Sequence, residues 1–258
     1  MADAPATWGD GWRATVTGAA GVVRRGHGLR FTNLPAPGHV YANAQIDTYR
    51  GLPRRRFGLA PPLRLHVRAR FSHPAARMRG TAGFGLWNDP FMMSGTSRPA
   101  LPAALWFFLA GRPSDMALAA GVPGHGWKAA TIDVRRPLFY ALAPGAPLAM
   151  LLMRSRTLYR RLWPLAQRAM GVHEALILVD ITKWHDYELV WTETDVRFHV
   201  DGARVLHAPQ APRGPLGCVI WLDNQFMVVR PTGVIRHGLV ARGEREWMEV
   251  REVVLEEG

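Results

Sequence analysis

Apolar and polar residues alternate along much of this chain with a period of two, the spacing of a strand that buries one face. The clearest stretch is WHDYELVWTETDVRFHVDG, residues 184–202. Tyr187, Leu189 and Trp191 alternate with Glu188 and Val190, and Val196, Phe198 and Val200 alternate with Arg197 and His199. Thr192 to Asp195 supplies a polar turn between the two runs. Asp201-Gly202 begins another, because Asp-Gly accommodates the positive φ of a two-residue hairpin. Around this hairpin the pattern predicts strands in RATVTG, GLRFTN and HVYANAQIDTY between Trp12 and Tyr49. Further strands are predicted in 63–72, 80–91, 101–111, 124–134, 174–182, 215–229 and 246–257, with Gly and Pro in the turns. Many short strands and few helices predict an all-β fold, an antiparallel β-sandwich or jelly roll. The 258 residues fit one such domain, 1–258.

One stretch departs from this rhythm. Residues 135–172 hold seven Arg and no acidic residue. PLFYALAPGAPLAMLLM (137–153) is almost wholly apolar, but Pro144 and Pro147 interrupt it, and it is shorter than the roughly 18–20 residues that span a bilayer. In the following RSRTLYRRLWPLAQRAM (154–170), Leu158, Leu162, Leu165 and Ala169 fall on one helical stripe, and Arg154, Arg161 and Arg168 on another. The expectation is a helical insertion at about 135–172. It is either a contact for an anionic membrane surface or a lid or dimer element.

Charge sharpens that picture. The formal net charge is +12, yet Lys128 and Lys183 are the only lysines, and the chain is rich in Arg, Ala, Gly and Pro. No nucleic-acid recognition motif accompanies the basicity, so nucleic acid is not an expected partner. Cys218 stands alone between Gly217 and Val219 and reads as a small buried hydrophobe rather than half of a disulfide. No His or Cys spacing suggests a metal, and no Gly-rich phosphate loop is present, so neither metal nor cofactor is expected. The segment MADAPATWGDGW lacks the basic and apolar regions of a secretory signal. The expected location is cytoplasmic, with membrane association through the insertion.

The order of elements from about Arg64 to Phe226 resembles the concanavalin A-like lectin/glucanase superfamily, and family 16 glycoside hydrolases in particular. WHDYELVWTETDVRFHVDG resembles that family's aromatic-rich strand pair ending in Val-Asp-Gly. GTAGFGLWNDPF (80–91) is similar to its preceding Trp-bearing strand, and PLGCVIWLDNQF (215–226) to the strand that follows. The resemblance implies a jelly roll with a ligand lying across a concave sheet. It also shows a departure. Family-16 hydrolases carry a Glu-x-Asp-x-(x)-Glu strand whose two carboxylates stand about 5–5.5 Å apart. The equivalent strand here is Ala104-Leu105-Trp106-Phe107-Phe108-Leu109, without a carboxylate. Either Trp106 and Phe108, or Leu105, Phe107 and Leu109, take those positions, and retaining glucanase chemistry is not expected.

The resemblance points several side chains toward the concave sheet: Trp87, Asn88, Trp106, Phe108, Trp127, Asn224 and Gln225 as ligand contacts. Asp89, His125 and Asp223 are the candidate acid–base groups, with His125 pairing Asp89 or Asp223 if the fold brings them together. Asp89 precedes Pro90, which predicts extended backbone there. In Asp223-Asn224-Gln225, period two puts Asp223 and Gln225 on one face and Asn224 on the other. Two functions remain open. One is binding of a lipophilic small molecule in a Trp-lined cleft, fed through the insertion, with acid–base transformation of that molecule left open. The other is a non-catalytic, lectin-like carbohydrate module. Neither ligand identity nor oligomeric state follows from the sequence.

Overall fold

The computed structural model describes residues 8–90, 98–230 and 234–258. It is a sandwich of two seven-stranded antiparallel sheets with a three-stranded sheet folded over one of them. In chain order the strands begin with β1 (Arg13–Thr17), β2 (Ala20–Arg25), β3 (Gly28–Asn33), β4 (Asn43–Asp47), β5 (Leu63–Phe71), β6 (Thr81–Trp87), β7 (Ala103–Ala110), β8 (Asp115–Met116) and β9 (Gly126–Asp133). After the insertion come β10 (His173–Leu176), β11 (His185–Trp191), β12 (Val196–Val200), β13 (Ala203–Ala208), β14 (Gly217–Asp223), β15 (Gln225–Val229), β16 (Ile235–Leu239) and β17 (Glu246–Glu257). The front sheet runs β1-β4-β14-β6-β7-β9-β10, and the back sheet β13-β12-β11-β5-β17-β3-β2. The small sheet is β16-β15-β8, in which β15 and β8 are parallel.

The hairpin at 184–202 forms as its pattern predicts. β11 and β12 pair antiparallel with Tyr187 opposite Val200 and Trp191 opposite Val196. Tyr187, Leu189, Trp191, Val196, Phe198 and Val200 are all buried. They meet Phe84, Leu105, Phe107 and Leu109 from the front sheet, and this interdigitation is the sandwich core. Cys218 lies within it, fully buried, and burial pushes its thiol pKa well above the ordinary range.

Several element boundaries differ from the pattern. AGVVRR forms the edge strand β2, and β13 and β16 are also strands, all outside the runs that alternation selects. The run 174–182 keeps only β10, because the chain leaves the sheet edge at Ile177. The run 215–229 divides at Asn224. That side chain accepts a hydrogen bond from Ala42 N and donates to Val40 O and Val240 O, so the chain turns out of the front sheet there and starts the small one. The insertion is helical, with α1 (Pro137–Leu142), α2 (Ala146–Leu152) and α3 (Arg156–Ala169). Its buried seam centres on Trp163 and Ala169, while Leu165, placed on the apolar stripe by spacing, is 44% exposed. No helix among the described residues is long and apolar enough to cross a membrane.

Candidate active site on the front sheet

Register fixes which side chains share the outer face of the front sheet. Phe108 stands opposite Gly83 and Lys128, Trp106 opposite Gly85 and Ala130, and Trp221 opposite Gly83 and Gln45. Asp223 lies between Asn43 and Thr81. The alternate residues Leu105, Phe107 and Leu109 face the core, so on this strand Trp106 and Phe108 are the pair turned outward. Glycines on β6 make room for the large rings. A Cβ on Gly83 would come within 3.0 Å of the Trp221 ring, and one on Gly85 within 2.7 Å of Trp106 Cβ.

The rings form one cluster. Trp87 and Trp221 are parallel with centroids 6.2 Å apart, Trp106 is tilted 6.0 Å from each, and Phe108 stacks 5.5 Å from Trp106. Two of the indole N–H groups are already engaged: Trp87 Nε1 donates to the Tyr49 hydroxyl, and Trp221 Nε1 to Thr81 Oγ1 at 2.9 Å. What they offer outward is therefore ring surface. The small sheet covers one end with Met116 of β8, Phe226 and Met227 of β15, and Leu239 of β16, leaving a cleft of about 670 Å³. Lys128 supports that wall. It is fully buried, donates to the carbonyls of Met116 and Pro123, and pairs with Glu174 at 2.5 Å. Burial lowers the Lys128 pKa and raises that of Glu174, with each partner opposing the other's shift.

A polar corner completes the cleft at the β14–β15 turn. Asp223 is its only carboxylic acid among the described lining residues, beside Thr15, Thr17, Tyr41, Asn43 and Gln225. Asp223 Oδ1 accepts from Thr81 Oγ1 at 2.7 Å, Thr81 N at 3.3 Å and Gln225 N at 3.1 Å. Oδ2 takes part in none of these bonds. Burial pushes the carboxyl up to about 6, against the Thr81 and Gln225 hydrogen bonds and the Arg242 charge. Arg242 is itself buried and paired with Glu246 at 3.1 Å, and burial raises Glu246 to about 7. The Tyr41 hydroxyl is held far above its usual range, by burial first and by Asp223 second. Nearby, Thr15 Oγ1, Asn43 Oδ1 and Gln45 Oε1 are buried without a hydrogen-bond partner. Such atoms cost free energy unless something with complementary groups meets them.

The structure gathers Trp87, Trp106, Phe108, Asp223 and Gln225 around this cleft and separates the other candidates from it. Trp127 is a correction: it faces the core, packed on Phe71, Phe84 and Phe107, because its register partner is the inward-facing Leu109. The neighbour that faces outward is Lys128. Asn224 is consumed by the turn described above. Asn88 ties a loop to β7, donating to Leu101 O and accepting from Ala103 N, both at 2.9 Å. Asp89 has φ +47 rather than extended backbone, in a turn where Arg54 donates to the carbonyls of Asn88 and Asp89. It lies at the far end of β6 from Asp223, about 20 Å by strand rise. His125 contacts Arg112 at 3.0 Å, about three strand spacings or 14 Å from Asp223. No His–Asp pair of the kind expected is formed among the candidates. No residue of 137–170 is among the described residues that line the cleft. Spacing passed over Trp221, which shares a face with Asp223 two residues on, and Tyr41, Asn43 and Thr81, which only register reveals. Among the described residues no group of three or more His, Cys, Asp or Glu is arranged to hold a metal ion.

Two seven-stranded antiparallel sheets packed face to face, with a small sheet over one of them, define a β-sandwich of the jelly-roll kind. No protein-family model and no curated protein matches the chain. Solved structures do match in fold. One, from endo-acting O-glycanases that members of the human gut microbiota express to initiate mucin breakdown, aligns at TM-score 0.50 and 14% identity over 95% of this chain and 90% of that one. A glycoside hydrolase family 16 endo-glucanase from Bacteroides ovatus aligns at TM-score 0.49 and 12% identity over 95% and 94%. A sialidase aligns at TM-score 0.45 and 11% identity over 96% of this chain, which spans only 17% of the sialidase. At such identity the likeness is one of fold.

Proposed function

We propose that this protein binds a mainly apolar small molecule in the front-sheet cleft and that Asp223 acts on it as an acid–base group. The observation that carries this reading is the lining itself: a wall of Trp87, Trp106, Phe108 and Trp221 with a single buried carboxyl at its polar end. A wall of ring surface suits an apolar body, and the unpartnered Thr15 and Asn43 oxygens beside Asp223 suit a hydroxyl or similar head group. One carboxyl cannot perform two-carboxylate glycoside hydrolysis. With its pKa near 6, Asp223 is available both protonated and ionised close to neutrality. A proton given from Oδ2 to a double bond or carbonyl of the ligand, and one taken back from another position, would leave the ligand isomerised and Asp223 unchanged. Positive charge arising between those steps would lie beside the Trp106 and Trp221 rings.

The experiment is tryptophan-fluorescence titration with a linear isoprenoid alcohol and, in parallel, with β-glucan oligosaccharides, followed by mass and chromatographic analysis of the recovered ligand. The reading expects micromolar binding of the alcohol, no binding of the sugars, and a rearranged product that Asp223→Asn fails to make while still binding. Sugar binding without alcohol binding overturns it in favour of a lectin-like module. Alcohol binding with product formation unchanged in Asp223→Asn removes the acid–base role.

A further inference from the structure

The insertion is the other part of the molecule whose surface chemistry asks for a partner. Its three helices pack on one another, with Phe139 against Tyr140 within α1 and Tyr159 stacked 6.1 Å from Trp163 within α3, and bury Met153, Trp163 and Ala169. What remains outside is apolar. Leu138 and Leu142 lie one turn apart on α1, and Leu148, Leu151 and Leu152 form a stripe on α2. Leu148 is 62% exposed and Leu151 57%. A contiguous set of exposed leucines is uncommon on a solvated helix face and marks a contact surface.

The charges around it are equally unusual. Arg154, Arg156, Arg160, Arg161 and Arg168 are exposed, and none of them enters an ion pair among the described residues. Some arginines elsewhere in the fold find carboxylates: Arg30 and Arg70 meet Glu249, and Arg64 meets Glu188. In the insertion there is no acidic residue to meet, so its seven arginines account for most of the net charge, 12 − 7 = +5 remaining elsewhere.

We infer that residues 135–172 dock on an anionic lipid surface, with the leucine stripes of α1 and α2 entering the headgroup–acyl boundary and the arginines of α3 facing lipid phosphates. Apolar stripes beside unpaired cations match both halves of such a surface. A second copy of the chain matches only the apolar half, since a symmetric contact would set the exposed Arg154, Arg156, Arg160, Arg161 and Arg168 of one copy against those of the other. Nucleic acid matches only the charge. The helices are too short to span, so the contact is a reversible one in the interface plane. This inference is independent of the cleft, whose lining contains none of these residues.

The test is co-sedimentation of the full chain with vesicles of phosphatidylcholine mixed with phosphatidylglycerol, and with pure phosphatidylcholine, at low and high salt. Wild type should pellet with the mixed vesicles at low salt and be largely released at high salt, because screening at high ionic strength shortens the reach of its charges to a few ångströms. Arg154, Arg160 and Arg161→Glu should weaken partitioning by about a hundred-fold or more. Leu148 and Leu151→Ser should also release the protein from mixed vesicles, and its circular dichroism and melting should be unchanged because both positions are exposed. Protein that stays in the supernatant with every vesicle overturns the inference, as does pelleting that ignores salt and charge reversal. A dimer by light scattering that the leucine variant dissociates, without vesicle binding, assigns the face to self-association instead.

Discussion

The two large sheets share one core and turn opposite kinds of surface outward. On the back sheet, polar alternation continues to the end. Glu249 stands between Arg30 on β3 and Arg70 on β5, Arg64 meets Glu188, and the guanidiniums of Arg30, Arg70 and Arg251 lie 4.4–5.5 Å from the rings of Trp184 and Trp247. Each of these charges has a partner, and both of these indoles are shielded by cations whose heads reach water. On the front sheet the equivalent positions hold Trp87, Trp106, Phe108 and Trp221, with the Trp87 and Trp221 N–H groups bonded to Tyr49 and Thr81. A solvated sheet face has no use for that arrangement. Left bare it would be an apolar patch, and the small sheet covers it only in part, leaving the cleft. The difference singles out the front-sheet cleft as the candidate site without any reference to sequence similarity.

The largest effect should separate the two faces directly. Trp106→Ala removes a nearly buried indole from a packed cluster and should cost about 3–5 kcal/mol in urea unfolding. Trp247→Ala removes an indole that Arg30 and Arg70 flank on the back sheet, and should cost about 1 kcal/mol for the lost cation–π contacts, with a modest packing loss added. Equal losses would mean that the front cluster is ordinary surface.

These two faces were unequally legible in the sequence. The hairpin and the inner strands of the back sheet could be read because one side of each is more polar, so alternation between Tyr187 and Trp191 carries the face assignment, while the edge strands β2 and β13 escaped it. β7 and β9 are buried on both sides, and there alternation is silent. That is why Trp127 was expected in the cleft although its pairing with Leu109 turns it inward. Asp223 and Gln225 were assignable because period two survives the turn, whereas the small sheet depends on what Asn224 bonds from Val40 and Val240, distant in sequence. The separation of Asp89 and His125 from Asp223 depends on which strand ends meet, which no local pattern encodes.

A second effect belongs to the back sheet. Burial works to raise the Glu249 pKa, and hydrogen bonds from Arg70 and Arg30 overcome it, leaving the carboxyl below the usual range. A lowered carboxylate contributes stability that is present above the ordinary carboxyl pKa and lost as pH falls through its folded value. Glu249→Gln strands two partly buried guanidiniums and should cost about 2–3 kcal/mol at neutral pH. The loss should shrink in acid, as pH falls past the ordinary carboxyl range and through the lowered folded value at which the wild-type carboxylate itself becomes protonated. Unfolding curves of both proteins from pH 3 to pH 8 measure it, and a constant difference would mean the carboxylate charge is not what holds these strands.

The third effect is the smallest and has the opposite sign. Burial holds Asp223 at about 6 against an ordinary value of 3.8, so between those values the folded protein keeps a proton that the unfolded chain has released. Stability from this group is therefore full in acid, falls as pH rises through that window, and stays low above it. The same burial that the proposed acid–base role relies on makes Asp223 a cost to the fold at neutral pH. Asp223→Asn keeps an acceptor for Thr81 and removes the charge, so it should be more stable than wild type by about 2 kcal/mol at pH 8 and show no gain near pH 4. Glu246, raised by burial to about 7, adds a similar slope, but it is present in both proteins and cancels in the difference. A variant that gains nothing at pH 8 would place Asp223 in a well-solvated setting, and the contrast between a charge-satisfied back face and a strained front cleft would lose its sharpest point.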